Sequence, residues 1–256
     1  MEFVGEIAAL QQRLANCAEL EVRRRAVMEA LAPPRGARVL EVGCGAGLLL
    51  RDLALAVGPH GLAAGIDISP DQIEAAATAC EGIPAAKPEA ADLCALPYPA
   101  GVFDAAVAVQ VVEYVAAAAA GLAEIARVLK PGGRFLCLAT NWTSAFWHGP
   151  DPTLTAEIAR AWEAHAAHAN LPARLPPMLS RAGFDEIRQA PVPVVNSDYT
   201  SQAFAYWLAR LMAAFARAQG VPAQRTRAWL AALDRAEAEG EFFFSFVPIL
   251  TTARRS

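Results

Sequence analysis

The sequence predicts an α/β fold built on a doubly wound, parallel sheet of seven strands, with an added helical cap. Two observations predict it. Short apolar segments alternate with amphipathic helical segments along most of the 256 residues. A turn with three glycines follows the first apolar segment, as at the ligand edge of a doubly wound sheet. Hydrophobic residues make up 55% of the chain, which is ample for one core.

The first half of the chain carries this alternation. In order, we predict a helix over 6–32, a strand over Arg38–Val42, a turn over Gly43–Gly47, a helix over Leu48–Val57, a strand over Leu62–Asp67, a helix after Ser69, a weak strand within Pro84–Leu93, a strand over Val102–Gln110, a helix over Ala117–Leu129 and a strand over Arg134–Thr140. Ser69 is a typical N-cap, and Pro70 fits the first helical position after it. The run KPGG, Lys130–Gly133, ends the helix before it.

The second half is less regular. We predict a loop "NWTSAFWHGPDP", a helix around Ala156–His168, a helix that ends at "RAGF", a strand over Glu186–Val195, helices over Ser201–Ala218 and Pro222–Ala238, and a last strand in "EFFFSFVPIL". Pro248 falls inside that last strand. Because proline cannot donate a ladder hydrogen bond, we expect a bulge or an early strand end there.

Charge, apolar runs and cysteines exclude several classes of protein. The net charge of −4 gives no general attraction to nucleic acid. No uncharged apolar run approaches the ~18 residues of a membrane span, and the first residues lack the basic region of a signal peptide. Five scattered cysteines, an odd number without a CxxC pair, indicate reduced thiols in a cytoplasmic protein.

The glycine turn indicates a ligand site. Gly43, Gly45 and Gly47 let the backbone approach a ligand, and Asp67 ends the next strand, where its carboxylate can accept from both hydroxyls of a ribose. The spacing is GxGxG, so neither the dinucleotide GxGxxG nor a P-loop GK[ST] is matched. The acid Glu41 disfavours a phosphate neighbour. A ligand with a ribose and a positive charge fits best.

These segments resemble the class I S-adenosylmethionine-dependent methyltransferases. "VLEVGCGAG" resembles their motif I, "GIDISPDQI" their second motif, "AADLCALPYPAGVFDAAVAVQVVEYV" their third and fourth, and "EIARVLKPGGRF" the segment before the fifth strand. The resemblance covers Arg38–Thr140 and is closest to the ubiquinone/menaquinone C-methyltransferases and many natural-product methyltransferases. It implies a Rossmann-like sheet of seven strands, the last antiparallel.

The resemblance also implies S-adenosylmethionine as cofactor and S-adenosylhomocysteine as product. It assigns cofactor contacts to Glu41, Gly43, Gly45, Gly47, Asp67, Ile68, Ala91, Asp92, Leu93 and Gln110. The three glycines would pack on the methionine part, with Glu41 organising the loop near the amino group. Asp67 would hold the ribose and Ile68 cover the adenine. Asp92 would accept a hydrogen bond from the adenine amino group, and Ala91 and Leu93 would line the adenine. Gln110 would face the sulfonium.

The implied reaction is an in-line displacement at the sulfonium methyl, which needs a base only if the acceptor must lose a proton. The tetrapeptide [DN]PP[YF] is absent after the fourth strand, which disfavours amide and amino nitrogens. No cysteine follows Cys137, which disfavours arsenite as the acceptor. Metal-dependent catechol methyltransferases place acidic ligands after the fourth strand, and Gln110 and Val111 do not supply them, so no metal is expected. We expect C- or O-methylation of a small, largely apolar acceptor: a quinone, polyketide or terpenoid.

Two segments carry the candidate acceptor contacts. The predicted substrate residues are Tyr114, Trp142, Phe146, Trp147 and Trp207. His148 is the candidate general base; the alternative is a structural loop histidine. Apolar stripes around Trp207 and Trp229 predict a helical lid, or equally packing on the core or on a homodimer interface. His165 and His168 do not fit HExxH and are expected on a solvated helix face.

The expected organisation is one methyltransferase domain over 1–256. It comprises an N-terminal helical segment over 1–35, a cofactor-binding core over 36–140, a substrate loop and helices over 141–180, and a lid insertion over 199–239. Two rivals remain open: a protein of this fold that binds the cofactor without methyl transfer, as a scaffold or non-methylating catalyst, and a nicotinamide-dependent oxidoreductase.

Overall fold

A computed structural model of the chain describes Ile7, Leu10, Arg13, Leu14, residues 17–149 and residues 151–256. The chain divides into two compact units. The unit that we call the aromatic unit takes the chain up to Arg23, then Asn141–Ala169 and Val192–Pro248. The unit that we call the sheet unit takes Arg24–Thr140, Asn170–Pro191 and Ile249–Ser256.

Regular elements occupy most of both units. Within residues 17–149 and 151–256, the helices are α1 (Ala18–Leu31), α2 (Leu48–Val57), α3 (Pro70–Ala79), α4 (Ala118–Val128), α5 (Pro152–Glu163), α6 (Leu171–Arg181), α7 (Phe204–Ala218) and α8 (Ala223–Ala238). The strands are β1 (Arg38–Val42), β2 (Leu62–Asp67), β3 (Ala86–Ala90), β4 (Phe103–Val109), β5 (Leu129–Thr140), β6 (Phe146–His148), β7 (Phe184–Pro191), β8 (Val194–Asn196), β9 (Phe243–Phe246) and β10 (Pro248–Arg255). Short 3₁₀ turns lie at Leu93–Ala95, Val112–Tyr114 and Trp142–Ser144.

The sheet unit holds a seven-stranded sheet in the order β3-β2-β1-β4-β5-β10-β7. Strand β1 pairs in parallel with β2 and β4, and β10 pairs antiparallel with β7. The predicted fold class, with an antiparallel last strand, is confirmed. Because the strand order reverses between β1 and β4, their carboxyl ends form the crevice where doubly wound sheets bind ligands.

Local sequence explains the elements that reach this crevice. In β1, "RVLEV", only Arg38 is exposed, as expected for a parallel strand that is covered on both faces. Ser69 caps α3, where its Oγ accepts a hydrogen bond from the N–H of Gln72 at 3.4 Å, and Pro70 occupies the first turn. Both predictions at the start of α3 are confirmed.

The two predicted strands near the end of the sequence are each divided between two sheets. Strand β7 ends at Pro191, and β8 belongs to a separate three-stranded sheet in the order β6-β9-β8. Strand β9 joins that small sheet, whereas the ladder of β10 with β7 begins at Ile249. The expected strand break at Pro248 is therefore confirmed. The expectation of a single strand over Glu186–Val195, and of one in "EFFFSFVPIL", is wrong because prolines interrupt both ladders.

Other boundaries also differ. The predicted helix over 6–32 is bent at Cys17, whose N–H donates to the carbonyl of Leu14, and part of that span lies outside the described residues. Helix α5 ends at Glu163 rather than His168. The KPGG run forms a bulge inside β5, because Leu129 and Arg134 pair with residues only two positions apart in β4.

The aromatic unit contains α5, α7, α8 and the three-stranded sheet. Its core takes up both predicted apolar stripes: Leu208, Leu211, Met212, Phe215, Trp229 and Leu233 are buried. These stripes therefore pack into the core of this unit. The segment predicted as a loop contains β6, whose central residue Trp147 is buried between the exposed Phe146 and His148. None of the helices in the described parts of the chain combines the length and apolarity needed to span a bilayer.

Candidate functional site

The glycine turn between β1 and α2 depends on three left-handed backbone positions. Gly43, Gly45 and Gly47 have φ angles of +67°, +50° and +80°, which L side chains rarely adopt. A Cβ on Gly43 would lie 2.2 Å from Cγ2 of Val111, and one on Gly47 would lie 2.7 Å from Cα of Ala76. At Gly45 the nearest atom is 3.7 Å away. Chain packing thus accounts for two of the glycines, whereas the outer side of Gly45 has room for a ligand.

Asp67, at the end of β2, ties this turn in place. Its Oδ2 accepts a hydrogen bond from the N–H of Gly45 at 3.0 Å, and its Oδ1 accepts one from the N–H of Ser69 at 3.0 Å. An ionised carboxylate offers about four lone-pair sites. Two therefore stay available, which is the number that a vicinal diol requires.

Glu41 places a buried carboxyl beside the same turn. The side chain is only 3% exposed, and burial, together with the negative charges of Asp52 and Asp67, raises the pKa of Glu41 well above its ordinary value. Among the described residues, its Oε2 has no hydrogen-bond partner. A buried oxygen without a donor costs free energy, and an ammonium group of a ligand would supply both a donor and a positive charge.

The ends of β2 and β3 meet next to Asp67, because the N–H of Ala91 donates to the carbonyl of Asp67 at 3.0 Å. Ile68 is 76% exposed, which is unusual for an isoleucine and leaves its side chain open to cover a flat ligand group. Asp92 is exposed and caps the following 3₁₀ turn at the N–H of Cys94. The side chain of Leu93 instead packs into the core against α4, so only its main chain remains for a ligand.

Gln110 directly follows β4 in a strained conformation, with a φ of +53°. Its Nε2 donates to Oγ1 of Thr140 at 3.1 Å, and its main-chain N–H donates to the carbonyl of Leu138. The fully buried Glu113 in turn accepts from the N–H of Thr140 at 3.4 Å. Sequence reasoning missed this chain of contacts, although an acid within the apolar run "VVEYV" is a signal for it.

The structure divides the predicted acceptor residues between the units. Tyr114 lies in the sheet unit, in the 3₁₀ turn after Gln110, and is 39% exposed. Trp142, Phe146, Trp147, His148 and Trp207 lie in the aromatic unit. His148 stands in β6, opposite Phe243, rather than in a loop.

Within the aromatic unit, Phe146 is 54% exposed and packs on the ring of Phe243. Trp142 and Trp147 are buried in the aromatic core. Trp207 is half-buried and donates from Nε1 to the carbonyl of Ser201 at 2.9 Å. Two of these four predicted contacts are thus core residues of the unit as well as candidate contacts.

The histidine pair after α5 departs from the sequence expectation. His165 is buried rather than solvated, stacks on Trp162 and contacts the carbonyl of Trp162 through Nδ1. Burial lowers its pKa to about 4, so the ring is neutral at physiological pH. The prediction of a solvated face is wrong there because the chain turns inward after Glu163. In the described part of the chain, no group of three histidine, cysteine or acidic residues could hold a metal ion.

Comparison with known proteins gives a family match over the same segment. Residues 40–137, which include the glycine turn and most of β1 to β5, match the family described as "Methyltransferase domain". An uncharacterized 37.1 kDa protein in transposon TN4556 of Streptomyces fradiae is 36% identical over 160 residues, which are 62% of this chain and 45% of that protein. A demethylmenaquinone methyltransferase of Staphylococcus aureus is 33% identical over 138 residues, 53% of this chain and 57% of that enzyme. The chain spans about half the length of these relatives.

Among solved structures, the YcgJ protein of Bacillus subtilis superposes with a TM-score of 0.60 over 91% of this chain and 98% of that one, at 19% identity. At that identity the likeness concerns the fold. It agrees with the strand order of the seven-stranded sheet.

Proposed function

We propose that this chain, whose residues 40–137 match the family described as "Methyltransferase domain", is a class I S-adenosylmethionine-dependent methyltransferase of the quinone-methyltransferase type that transfers a methyl group to a small, largely apolar acceptor. The observation that carries the proposal is the glycine turn. Asp67 fixes the N–H of Gly45 at the crevice of the sheet, and the buried Glu41 stands behind it. The relative from Staphylococcus aureus, which is named a demethylmenaquinone methyltransferase, supports a quinone or similar ring as the acceptor.

The residues at the crevice fit the parts of S-adenosylmethionine. When bound, this cofactor supplies a methyl group activated by the positive charge of its sulfonium. Glu41 would accept from the amino group, and the two unused lone-pair sites of Asp67 would accept from the ribose hydroxyls. Ile68 would cover the adenine, whose amino group would donate to Asp92.

The end of β4 is where this chain would orient the reacting groups. Thr140 accepts the Nε2 hydrogen bond of Gln110, so the oxygen of that amide faces away from Thr140 and can meet positive charge at the sulfonium. Holding the acceptor in line and excluding water would supply most of the rate. No metal is needed for this step.

The acceptor contacts that we propose are Tyr114, Trp142, Phe146, Trp147 and Trp207, with His148 as general base where the acceptor must lose a proton. The exposure of Phe146 and His148 in β6 supports their part in this proposal, because both side chains are accessible to a ligand. We propose further that all 256 residues act as one methyltransferase, with 36–140 holding the cofactor, 199–239 acting as the lid, and cytoplasmic location in keeping with five free cysteines. A homodimer is part of the same proposal.

Turnover and binding separate this function from its rivals. Purified protein is incubated with S-adenosylmethionine and fractions of a cell-extract metabolite pool, and S-adenosylhomocysteine is quantified. Formation that depends on one fraction supports methyl transfer. Tight binding of S-adenosylmethionine with no product in any fraction would favour a scaffold or a non-methylating catalyst. In titration calorimetry, binding of NAD(P) without binding of S-adenosylmethionine would overturn the proposal.

A further inference from the structure

The core of the aromatic unit contains four indole rings that contact one another directly or through two phenylalanines. We call Trp142, Trp147, Trp162 and Trp229 the indole cluster. Trp142 and Trp162 meet edge to face with ring centroids 5.5 Å apart, and Trp147 and Trp229 do so at 5.2 Å. Phe244 and Phe246 join the two pairs, because Trp147 packs on Phe244 and Trp142 stacks on Phe246.

The four indole N–H groups differ in whether they have a hydrogen-bond acceptor among the described residues. Nε1 of Trp229 donates to Oγ1 of Thr155 at 3.1 Å. Within the residues that the structure describes, Nε1 of Trp142, Trp147 and Trp162 has no acceptor, although these side chains are only 7%, 6% and 4% exposed. Folded proteins pair nearly all buried donors, so three unpaired donors in one cluster are a feature that packing alone does not explain.

Contacts with ring faces do not account for the difference. An N–H that points at an aromatic face gains only a weak hydrogen bond. Trp229 is itself in an edge-to-face pair, yet it has a full hydrogen bond to Thr155. Among the described residues, the indole N–H of Trp229 therefore has an ordinary hydrogen-bond acceptor, and those of the other three tryptophans have none.

We propose that three members of the indole cluster, Trp142, Trp147 and Trp162, bind an unsaturated, ring-containing ligand whose carbonyl oxygens accept hydrogen bonds from their N–H groups. Indole nitrogen is a donor only, so the ligand atom that meets it must be an acceptor, and a carbonyl oxygen offers two lone pairs. Flat rings match the indole and phenyl faces that surround it. This site is distinct from the glycine turn, since every residue named belongs to the aromatic unit.

The three donors narrow the ligand class to rings that carry oxygen acceptors. A terpenoid hydrocarbon without oxygen contains no hydrogen-bond acceptor for these donors. A quinone or a cyclic polyketide carries both the ring and the carbonyl groups.

The test uses the full chain and a matched pair of probes, α-tetralone and tetralin, which differ in one carbonyl oxygen. Binding is measured by saturation-transfer NMR and titration calorimetry, without S-adenosylmethionine. We expect α-tetralone to bind more tightly than tetralin by about fivefold or more, since one hydrogen bond is at stake. Equal binding of the two probes, or no binding of either, would overturn the proposal.

Four variants locate the site: Trp142→Phe, Trp147→Phe, Trp162→Phe and, as the matched control, Trp229→Phe. Each keeps an aromatic ring and removes the N–H. At least two of the first three should lower the affinity for α-tetralone about fivefold, whereas Trp229→Phe should leave it unchanged. If the control lowers the affinity as much as the others, the donors are not the recognition element.

Thermal unfolding gives a second measurement that does not need a ligand. Trp229→Phe should lower the unfolding temperature most, because it leaves the Thr155 hydroxyl without its donor. The other three variants should lower the unfolding temperature less, since each removes a donor that is already unpaired. If all four variants lowered the unfolding temperature equally and α-tetralone did not bind, a buried water alone would pair the indole N–H groups. Because no assay here uses the cofactor, a failure of methyl transfer would leave these results intact.

Discussion

The N–H of Gly45 donates a hydrogen bond to the carboxylate of Asp67 at 3.0 Å, which joins the turn after β1 to the end of β2. One carboxylate therefore shapes the glycine turn and also presents the lone pairs that we assign to a ribose. Because both tasks share one side chain, a change at Asp67 should affect the cofactor affinity and the stability of the turn together.

Removing this carboxylate is the most direct test of the cofactor site. Asp67→Ala should weaken S-adenosylmethionine binding by more than about tenfold, because charge-assisted hydrogen bonds to two hydroxyls are lost. Titration calorimetry measures the affinity. Asp71→Ala is the control, since Asp71 is exposed in the first turn of α3 and has no part in the proposal. Unchanged affinity in Asp67→Ala would remove this residue from the site.

The glycine turn allows a packing effect to be separated from backbone strain. Gly47→Ala should destabilise the protein by about 2 to 4 kcal/mol, because a Cβ at a positive φ would also press on the backbone of Ala76. Gly82→Ala has a similar φ of +76° with no atom within 4 Å of its Cβ, so it should cost only about 1 kcal/mol. Urea unfolding gives both values. Equal losses would show that the approach of α3 does not require Gly47.

Glu41 should make stability depend on pH. Its pKa is raised well above the ordinary value of 4.5 in the folded state, so the folded protein holds this proton longer than the unfolded chain does. The contribution is fully present below the ordinary pKa and is lost as pH rises towards the folded pKa. From about pH 5 to about pH 8, the free energy of unfolding of Glu41→Gln should therefore fall less than that of the wild type.

The same group should release a proton on cofactor binding, because an ammonium beside Glu41 favours its ionised form. Calorimetric titration of S-adenosylmethionine in two buffers of different ionisation enthalpy measures this release. Glu41→Gln should give the same enthalpy in both buffers. Parallel pH profiles for the wild type and the variant, together with no buffer dependence in the wild type, would contradict an uncharged Glu41.

Thr140 should act as a positioning residue for Gln110. Thr140→Val removes the acceptor of the Nε2 hydrogen bond, so the amide loses its fixed orientation and senses the sulfonium charge less. We expect the preference for S-adenosylmethionine over S-adenosylhomocysteine to fall by about threefold. Thr140→Ser keeps the hydroxyl and should preserve the preference. If Thr140→Val leaves this ratio unchanged while it lowers stability, Thr140 serves the fold alone.

The glycine turn at the edge of the sheet could be predicted from the sequence because its determinants are local. Strand β1, the glycine turn, α2 and β2 follow one another within Arg38–Asp67, and each of the three glycines of the turn adopts a positive φ. The capped start of α3 is local in the same way. Periodicity and turn chemistry act over a few residues, so sequence reasoning can follow them.

The rest depended on contacts between distant segments. The sequence predicted the strand break at Pro248, but it did not reveal that two apolar runs are each divided between two sheets, or that Trp142 and Trp147 enter a core with α7 and α8. The contact between Glu113 and Thr140 joins residues 27 positions apart. By itself, the sequence determined the glycine turn, because backbone angles are a local property. Only the tertiary structure decided which aromatic residues are buried and which of their polar atoms find partners, because burial is a property of the whole packed unit.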